Sequence, residues 1–185
     1  MLDVKFESFP RIETARLVMR EIVPEDGEVF FRLRTHPQVT MYLDREDEKD
    51  IAAVLTVIEK IRKSFDAGDG IAWGLCFPND PTLIGTMSIW RIDKANHRGE
   101  VGYSLFPEFW QRGYASEALE AAILFAFQHI KLHSLEANTS VHNSASHALL
   151  QKFGFVKEAH FKENWYYKGN FYDSVIFSLL NRKES

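Results

Sequence analysis

The run Trp110-Gln111-Arg112-Gly113-Tyr114-Ala115-Ser116-Glu117-Ala118 constrains the fold of this chain more than any other stretch. It is a tight turn with one glycine that opens straight into an amphipathic helix. Phe106-Pro107, just before it, closes what reads as a strand. The first turn of a helix carries backbone N–H groups with no intrahelical acceptor, and the macrodipole adds partial positive charge there. A strand, a small-residue turn and an exposed helix start together make a seat for an anion such as a diphosphate. Gly113 permits close approach of the ligand to the backbone, and Ala115 keeps the helix start small. An ordinary strand-to-helix connection has the same local pattern, so the rest of the chain has to decide between the two.

Hydrophobic periodicity places that turn within a mixed α/β (α+β) sheet domain. Residues 12–22 alternate as a strand. Pro24-Glu25-Asp26 opens a helix to about Arg34, limited by Pro37. From Asp47 to Phe65, Ile51, Val54, Leu55, Ile58, Ile61 and Phe65 fall at helical spacing, and Gly68-Asp69-Gly70 ends that helix. Residues 71–77, 83–92 and 98–106 read as three strands of a meander, with turns at 78–81 and 93–97. The helix after the Gly113 turn runs from Ser116 to about His129. Residues 134–141 read as a strand and 144–153 as a short helix capped by Asn143 or Ser144. Gly154 ends that helix in the left-handed conformation. Residues 155–165 and 171–180 form a terminal hairpin.

The chain has 185 residues, enough for one domain with a sizeable core. A hydrophobic fraction of 45% and 15 Phe fit a packed globular protein. The lone cysteine, Cys76, has no internal partner for a disulfide and sits in an apolar run, which reads as a buried thiol in a reducing compartment. The charged start predicts no secretory signal, and no apolar run approaches the roughly 20 residues of a membrane helix. These features predict a cytoplasmic protein. A net charge of −4 argues against nucleic acid as a partner and is compatible with a cationic one. The seven His show no metal-ligand spacing, so no metal is expected.

The Gly113 turn resembles motif A of the GNAT superfamily of acetyl-CoA-dependent N-acetyltransferases, which reads Gln/Arg-x-x-Gly-x-Gly/Ala. Gly113 and Ala115 fill its fourth and sixth positions. Trp110 stands where the motif has Gln or Arg, a departure that leaves the backbone donors in place. The wording Phe-Trp-x-Arg-Gly-Tyr-Ala-Ser-Glu-Ala is similar to the RimJ/RimL branch, the ribosomal-protein alanine N-acetyltransferases and their relatives. Three more stretches resemble that branch in the same order: the opening strand around Thr14-Ala15-Arg16-Leu17, the strand Arg98-Gly99-Glu100-Val101-Gly102-Tyr103-Ser104-Leu105, and Asn143-Ser144-Ala145-Ser146 followed by Lys152-Phe153-Gly154-Phe155.

The resemblance implies one GNAT domain, with its core over about 10–181. Its twisted mixed sheet would have about seven strands, the fourth and fifth splayed to admit acetyl-CoA as co-substrate. Gln111, Arg112, Gly113, Tyr114, Ala115 and Ser116 would meet the diphosphate. Tyr103, Ser104 and Leu105 would pair main-chain groups with the pantetheine arm, and Asn143 would offer its amide or simply cap the next helix. The acceptor is an amine, most simply a protein N-terminus. A polyamine, an amino acid or an aminoglycoside is the alternative, and a non-catalytic acyl-CoA-binding module is a third reading. Homodimers are common in the family.

An α-amine with a pKa of about 7.7–8 needs a base. Glu100 has the best position, Glu163 on the hairpin is second, and water is third. Asn138 stands where many relatives carry a carboxylate, and Leu150 where many carry a Tyr acid. That leaves Ser146, water or no group at all to serve the departing thiolate. Of the aromatics Phe161, Trp165, Tyr166, Tyr167, Phe171 and Tyr172, some are expected in the hairpin core and others at the acceptor pocket. Trp90 and Trp110 are read as core or pocket.

Overall fold

Thr14 breaks the opening strand. Its N–H donates to the Leu17 carbonyl at 2.9 Å, and its hydroxyl pairs with both main-chain groups of Leu17. The single strand expected over 12–22 is therefore two, β1 (Ile12–Glu13) and β2 (Val18–Glu21). The computed structural model describes residues 2–42 and 48–182, so Asp47, the expected start of the long helix, lies outside the described residues. Among the described residues the order continues with α1 (Gly27–Thr35), α2 (Pro37–Thr40), α3 (Ile51–Asp66), β3 (Ile71–Phe77), β4 (Asp80–Asp93), β5 (Arg98–Leu105), α4 (Tyr114–Phe125), β6 (Ser134–Ser140), α5 (Ser144–Lys152), β7 (Val156–Tyr167) and β8 (Asn170–Leu180). A turn of π-helix, Ala126–Ile130, extends α4. The expected turn at 78–81 is shorter, because β4 already begins at Asp80.

All eight strands form one sheet in the order β1-β2-β3-β4-β5-β6-β8-β7. The sequence pattern implied about seven, and the break at Thr14 accounts for the extra one. Every pairing is antiparallel except β5 with β6. That parallel pair holds only three rungs, Arg98↔Ser134, Gly99↔Leu135 and Glu100↔Glu136. Beyond Glu100 the strands part, and β6 runs on against β8 as far as Ser140. The splay implied by resemblance is present, and its apex is the Glu100–Glu136 rung.

Strand alternation sorts the core into two layers. On one face Trp73, Leu75, Met87, Ile89 and Val101 pack against Leu119, Ala122 and Phe125 of α4. On the other, Ile22 and Leu83 meet Phe30, Leu33, Val54 and Ile58 of α1 and α3. Each fully buried leucine, such as Leu33 or Leu119, contributes about 1.5–3 kcal/mol. Asp26 ties the end of β2 to the start of α1. It accepts two hydrogen bonds from the Arg20 guanidinium at 2.8 Å and one from the Val23 N–H at 2.9 Å. Cys76 is buried, with its Sγ 3.6 Å from the Val18 carbonyl.

Candidate active site

The Gly113 turn meets the strict requirement of an anion seat, which is unpartnered donors. Gly113 is the N-cap of α4 in the left-handed conformation, φ 82°, and no side chain caps the helix. The first intrahelical bond is Glu117 N–H to the Gly113 carbonyl, 3.1 Å. The main-chain N–H groups of residues 111–116 donate to no protein acceptor among the described residues. Six consecutive free donors would cost heavily if they were buried dry, and here four of the six residues, Gln111, Gly113, Ala115 and Ser116, line a cleft. Gln111 also adopts positive φ, 58°, unusual for a residue with a side chain. Such strain concentrates where a turn must present its backbone to a ligand.

The cleft is about 350 Å³ and lies between the parted strands. Tyr103, Ser104 and Leu105 line one wall, with Gln111, Gly113, Ala115 and Ser116 at the Gly113 turn. Asn143, Ala145, Ser146 and Leu149 line the other wall, and Gln38, Val39 and Tyr42 close the far end. The structure thus brings nine of the expected residues together. Arg112 and Tyr114 lie outside the lining. Arg112 is exposed and turns its carbonyl toward Arg16, 3.0 Å from Nη1. The Tyr114 ring packs on Phe77 and on Phe109, which itself lines the cleft.

The strand β5 divides its expected contacts. The Phe106 N–H bonds back to Ile84 of β4, while the Leu105 carbonyl points the other way and accepts from Trp110 Nε1 at 2.8 Å. By alternation, Tyr103 and Leu105 direct main-chain groups at the cleft and Ser104 directs its own at β4. The Ser104 hydroxyl pairs with Thr86 at 3.1 Å. Trp110, the departure from the motif, therefore occupies one strand-edge carbonyl itself. Asn143 caps α5, with its Oδ1 accepting from the Ser146 N–H at 3.0 Å. Its side-chain oxygen is spent on the cap.

Ser146 is buried, and its hydroxyl lies 2.7 Å from the Tyr103 hydroxyl. Burial pushes the Tyr103 phenol up to about 12, with the Ser146 contact acting weakly against it. Tyr103 therefore stays protonated, so its hydroxyl can donate or accept in this pair. Sequence reasoning treated Tyr103 as a main-chain contact and found no phenol near the thioester. The ring comes from β5, not from the helix position now held by Leu150, which is fully buried.

Glu100 is not in the cleft lining. It sits at the apex of the splay, on the sheet face opposite Tyr103, beside Trp90 and Glu136 in register. Its carboxylate accepts from Arg91 at 3.1 Å, and its side chain is 13% exposed. Burial raises its pKa above the usual carboxylate value. Arg91 works against that shift and Glu136 adds to it. Glu163 lies far along β7 at an exposed bulge with φ 49°, its N–H bonded to Asp173 at 2.9 Å. The hairpin aromatics Phe161, Trp165, Tyr166, Phe171 and Tyr172 are 36–64% exposed, which corrects the expectation that some form hairpin core. These side chains belong to neither core cluster and meet solvent.

Two cations near the turn escaped the sequence reading. Lys152 Nζ donates to the Ser116 hydroxyl at 3.4 Å. Arg16 stacks over the Tyr114 ring, 4.6 Å from its centroid. Both lie in stretches already matched to the family, but nothing in their spacing pairs them with residues 36 and about a hundred positions away. No group of His, Cys, Asp or Glu suited to a metal occurs among the described residues, and no helix among them is long and apolar enough to cross a membrane.

A splayed parallel pair beside an uncapped helix start defines a class, the GNAT acetyltransferases, and this chain belongs to it. The sequence profile of the acetyltransferase (GNAT) domain matches residues 16–156. The protein is an N-acetyltransferase that uses acetyl-CoA. It is 31% identical over 176 residues to the uncharacterized N-acetyltransferase YoaA of Bacillus subtilis, a match spanning 95% of this chain and 99% of that one. It is 30% identical over 113 residues to the [ribosomal protein uS5]-alanine N-acetyltransferase of Escherichia coli, covering 60% and 58% of the two chains. Its fold superposes on RimL, a ribosomal L7/L12 α-N-protein acetyltransferase solved with coenzyme A, with TM-score 0.84, 18% identity, and 92% and 98% of the chains covered.

Proposed function

We propose that the acceptor is the α-amine of a protein N-terminus, acetylated in the cytoplasm by direct attack within a ternary complex. The observation that carries the cofactor half is the row of free N–H groups at 111–116, which can receive a diphosphate without any side chain moving. Gly113 supplies the φ of 82° on which this turn depends, and a Cβ there would crowd Arg16 Nη2, at 3.2 Å. Tyr103 and Leu105 carry the pantetheine arm along the unpaired edge of β5. The acceptor half rests on the relatives that acetylate ribosomal-protein N-termini and on the acidic Glu100–Glu136 rung at the apex.

Glu100 takes the proton from the incoming ammonium. Its raised pKa brings it closer to that of an α-amine, which favours the transfer. The neutral nitrogen attacks the acetyl carbon, the C–S bond breaks, sulfur leaves as a thiolate, and the new amide nitrogen gives up its second proton to solvent. Ser146 donates a hydrogen bond to that sulfur, while Tyr103 donates to Ser146 and fixes its rotor. The proton that finally rests on the thiol comes from solvent. Cys76 is buried and offers no acyl-enzyme route.

Thiol release from acetyl-CoA tests this reading with three acceptors: a peptide beginning with Ala, spermidine and an aminoglycoside. Selective turnover of the peptide supports it. Turnover of spermidine or the aminoglycoside alone replaces the acceptor and leaves the cofactor site standing.

A further inference from the structure

The Thr14-Ala15-Arg16-Leu17 stretch matches the family, yet the cofactor mechanism above gives it no task. We infer that Arg16 is a positioning residue for coenzyme binding: braced by Glu117, its guanidinium holds the 111–113 turn in the shape that leaves the helix amides free for the diphosphate. The inference rests on the reading that the diphosphate seats on residues 111–116.

The brace joins segments about a hundred positions apart. Arg16 Nε donates to Glu117 Oε2 at 2.7 Å, and the Arg16 N–H donates to Oε1 at 2.7 Å. The Thr14 hydroxyl also donates to Oε1, at 2.6 Å. Burial works against the charged form of Glu117, but these bonds outweigh it and hold the carboxyl below its usual range. With Nε fixed, Nη1 reaches the Arg112 carbonyl at 3.0 Å. The plane of the guanidinium covers the Tyr114 ring. None of Thr14, Arg16, Arg112, Tyr114 and Glu117 belongs to the cleft lining.

The turn needs such a device. Gln111 and Gly113 both have positive φ, which the bare chain populates poorly at Gln111. Pinning the Arg112 carbonyl fixes the peptide plane between Arg112 and Gly113. A seat ordered before the ligand arrives does not spend binding energy on ordering. Lysine does not replace this arginine, because only a planar fork bridges a carboxylate and a carbonyl while stacking on a ring.

The experiment compares two donors, acetyl-CoA and S-acetylpantetheine, which lacks the diphosphate. Wild type, Arg16→Gln and Arg16→Lys are assayed with whichever amine wild type accepts. The expected result is an acetyl-CoA KM raised about tenfold in both variants, with kcat within about twofold of wild type. The kcat/KM with millimolar S-acetylpantetheine should stay unchanged. An acetyl-CoA KM equal to wild type overturns the inference. So does an equal loss with both donors, which is the mark of general destabilisation. If wild type itself shows no preference for acetyl-CoA, the seat assignment fails first, and that result is read without any variant.

Discussion

The two halves of the cleft are built from different materials. The coenzyme half is mostly backbone: an uncapped helix start, two positive-φ residues and an unpaired strand edge. The proposed acceptor half is side chains: Gln38, Val39 and Tyr42 from the α2 region within the cleft lining, and, outside that lining, Glu100 and Trp90 from the sheet and the exposed aromatic hairpin. A backbone site depends on where glycine and small residues sit, and it is intolerant of bulk. A side-chain site tolerates exchange and so sets which amine enters. Substitutions should therefore separate cleanly, the first half moving coenzyme affinity and the second moving acceptor constants or turnover.

Gly113→Glu should break the coenzyme half most severely. The new side chain starts from φ 82°, strained for any residue with a Cβ, and brings a negative charge to an anion seat. Calorimetry should show acetyl-CoA affinity down by more than about a hundredfold, near 2.7 kcal/mol or beyond. Unchanged affinity would sink the whole assignment of the diphosphate seat.

Glu100→Gln is the sharpest test of the acceptor half, with kcat down about a hundredfold at neutral pH. The sign follows from the raised pKa of Glu100. A base works above its pKa, so wild-type kcat/KM for the amine should fall as pH drops through a value above the ordinary carboxylate range. In the variant the amine must lose its proton unaided, so activity should recover partly as pH rises toward the amine's own pKa. A pH–rate profile identical to wild type removes Glu100 from the chemistry.

What was legible in the sequence follows the same division. The strand–turn–helix at Gly113 showed because small residues and a helix start leave marks at short range. The splay showed only through resemblance, since three rungs of pairing between β5 and β6 have no local signal. The Tyr103–Ser146 contact spans 43 positions and the Arg16–Glu117 contact 101, and neither follows from spacing within one element. Alternation along β5 did hold the information that Tyr103 and Glu100 face opposite sides. The hairpin misled for a different reason. Alternating aromatics read as half core in any strand, but nothing packs over this part of the hairpin.

Tyr103→Phe keeps the ring and deletes the hydroxyl that orients Ser146. The expected loss is about tenfold in kcat, with acetyl-CoA KM unchanged, because the main-chain groups of β5 remain in place. In a Ser146→Ala background the same substitution should cost nothing further, since the two hydroxyls act as one unit. Additive losses would mean that Tyr103 acts on the substrates by another route, or on the packing of the wall.

Trp165→Ala probes the outermost part of the acceptor half and should have the smallest effect. Trp165 is 46% exposed, paired across the hairpin with Tyr172, and beyond the reach of either core layer. Truncating a surface side chain of this kind changes stability by about 0.5 kcal/mol or less, which thermal unfolding would register as a shift of about 2 °C or less. Acetyl-CoA KM should not move. If the hairpin borders the groove where a peptide lies, the KM for a peptide acceptor should rise about three- to fivefold while that for a small amine stays constant. Equal constants for both acceptors would place the hairpin outside the acceptor site and leave its exposed rings for some other surface to cover.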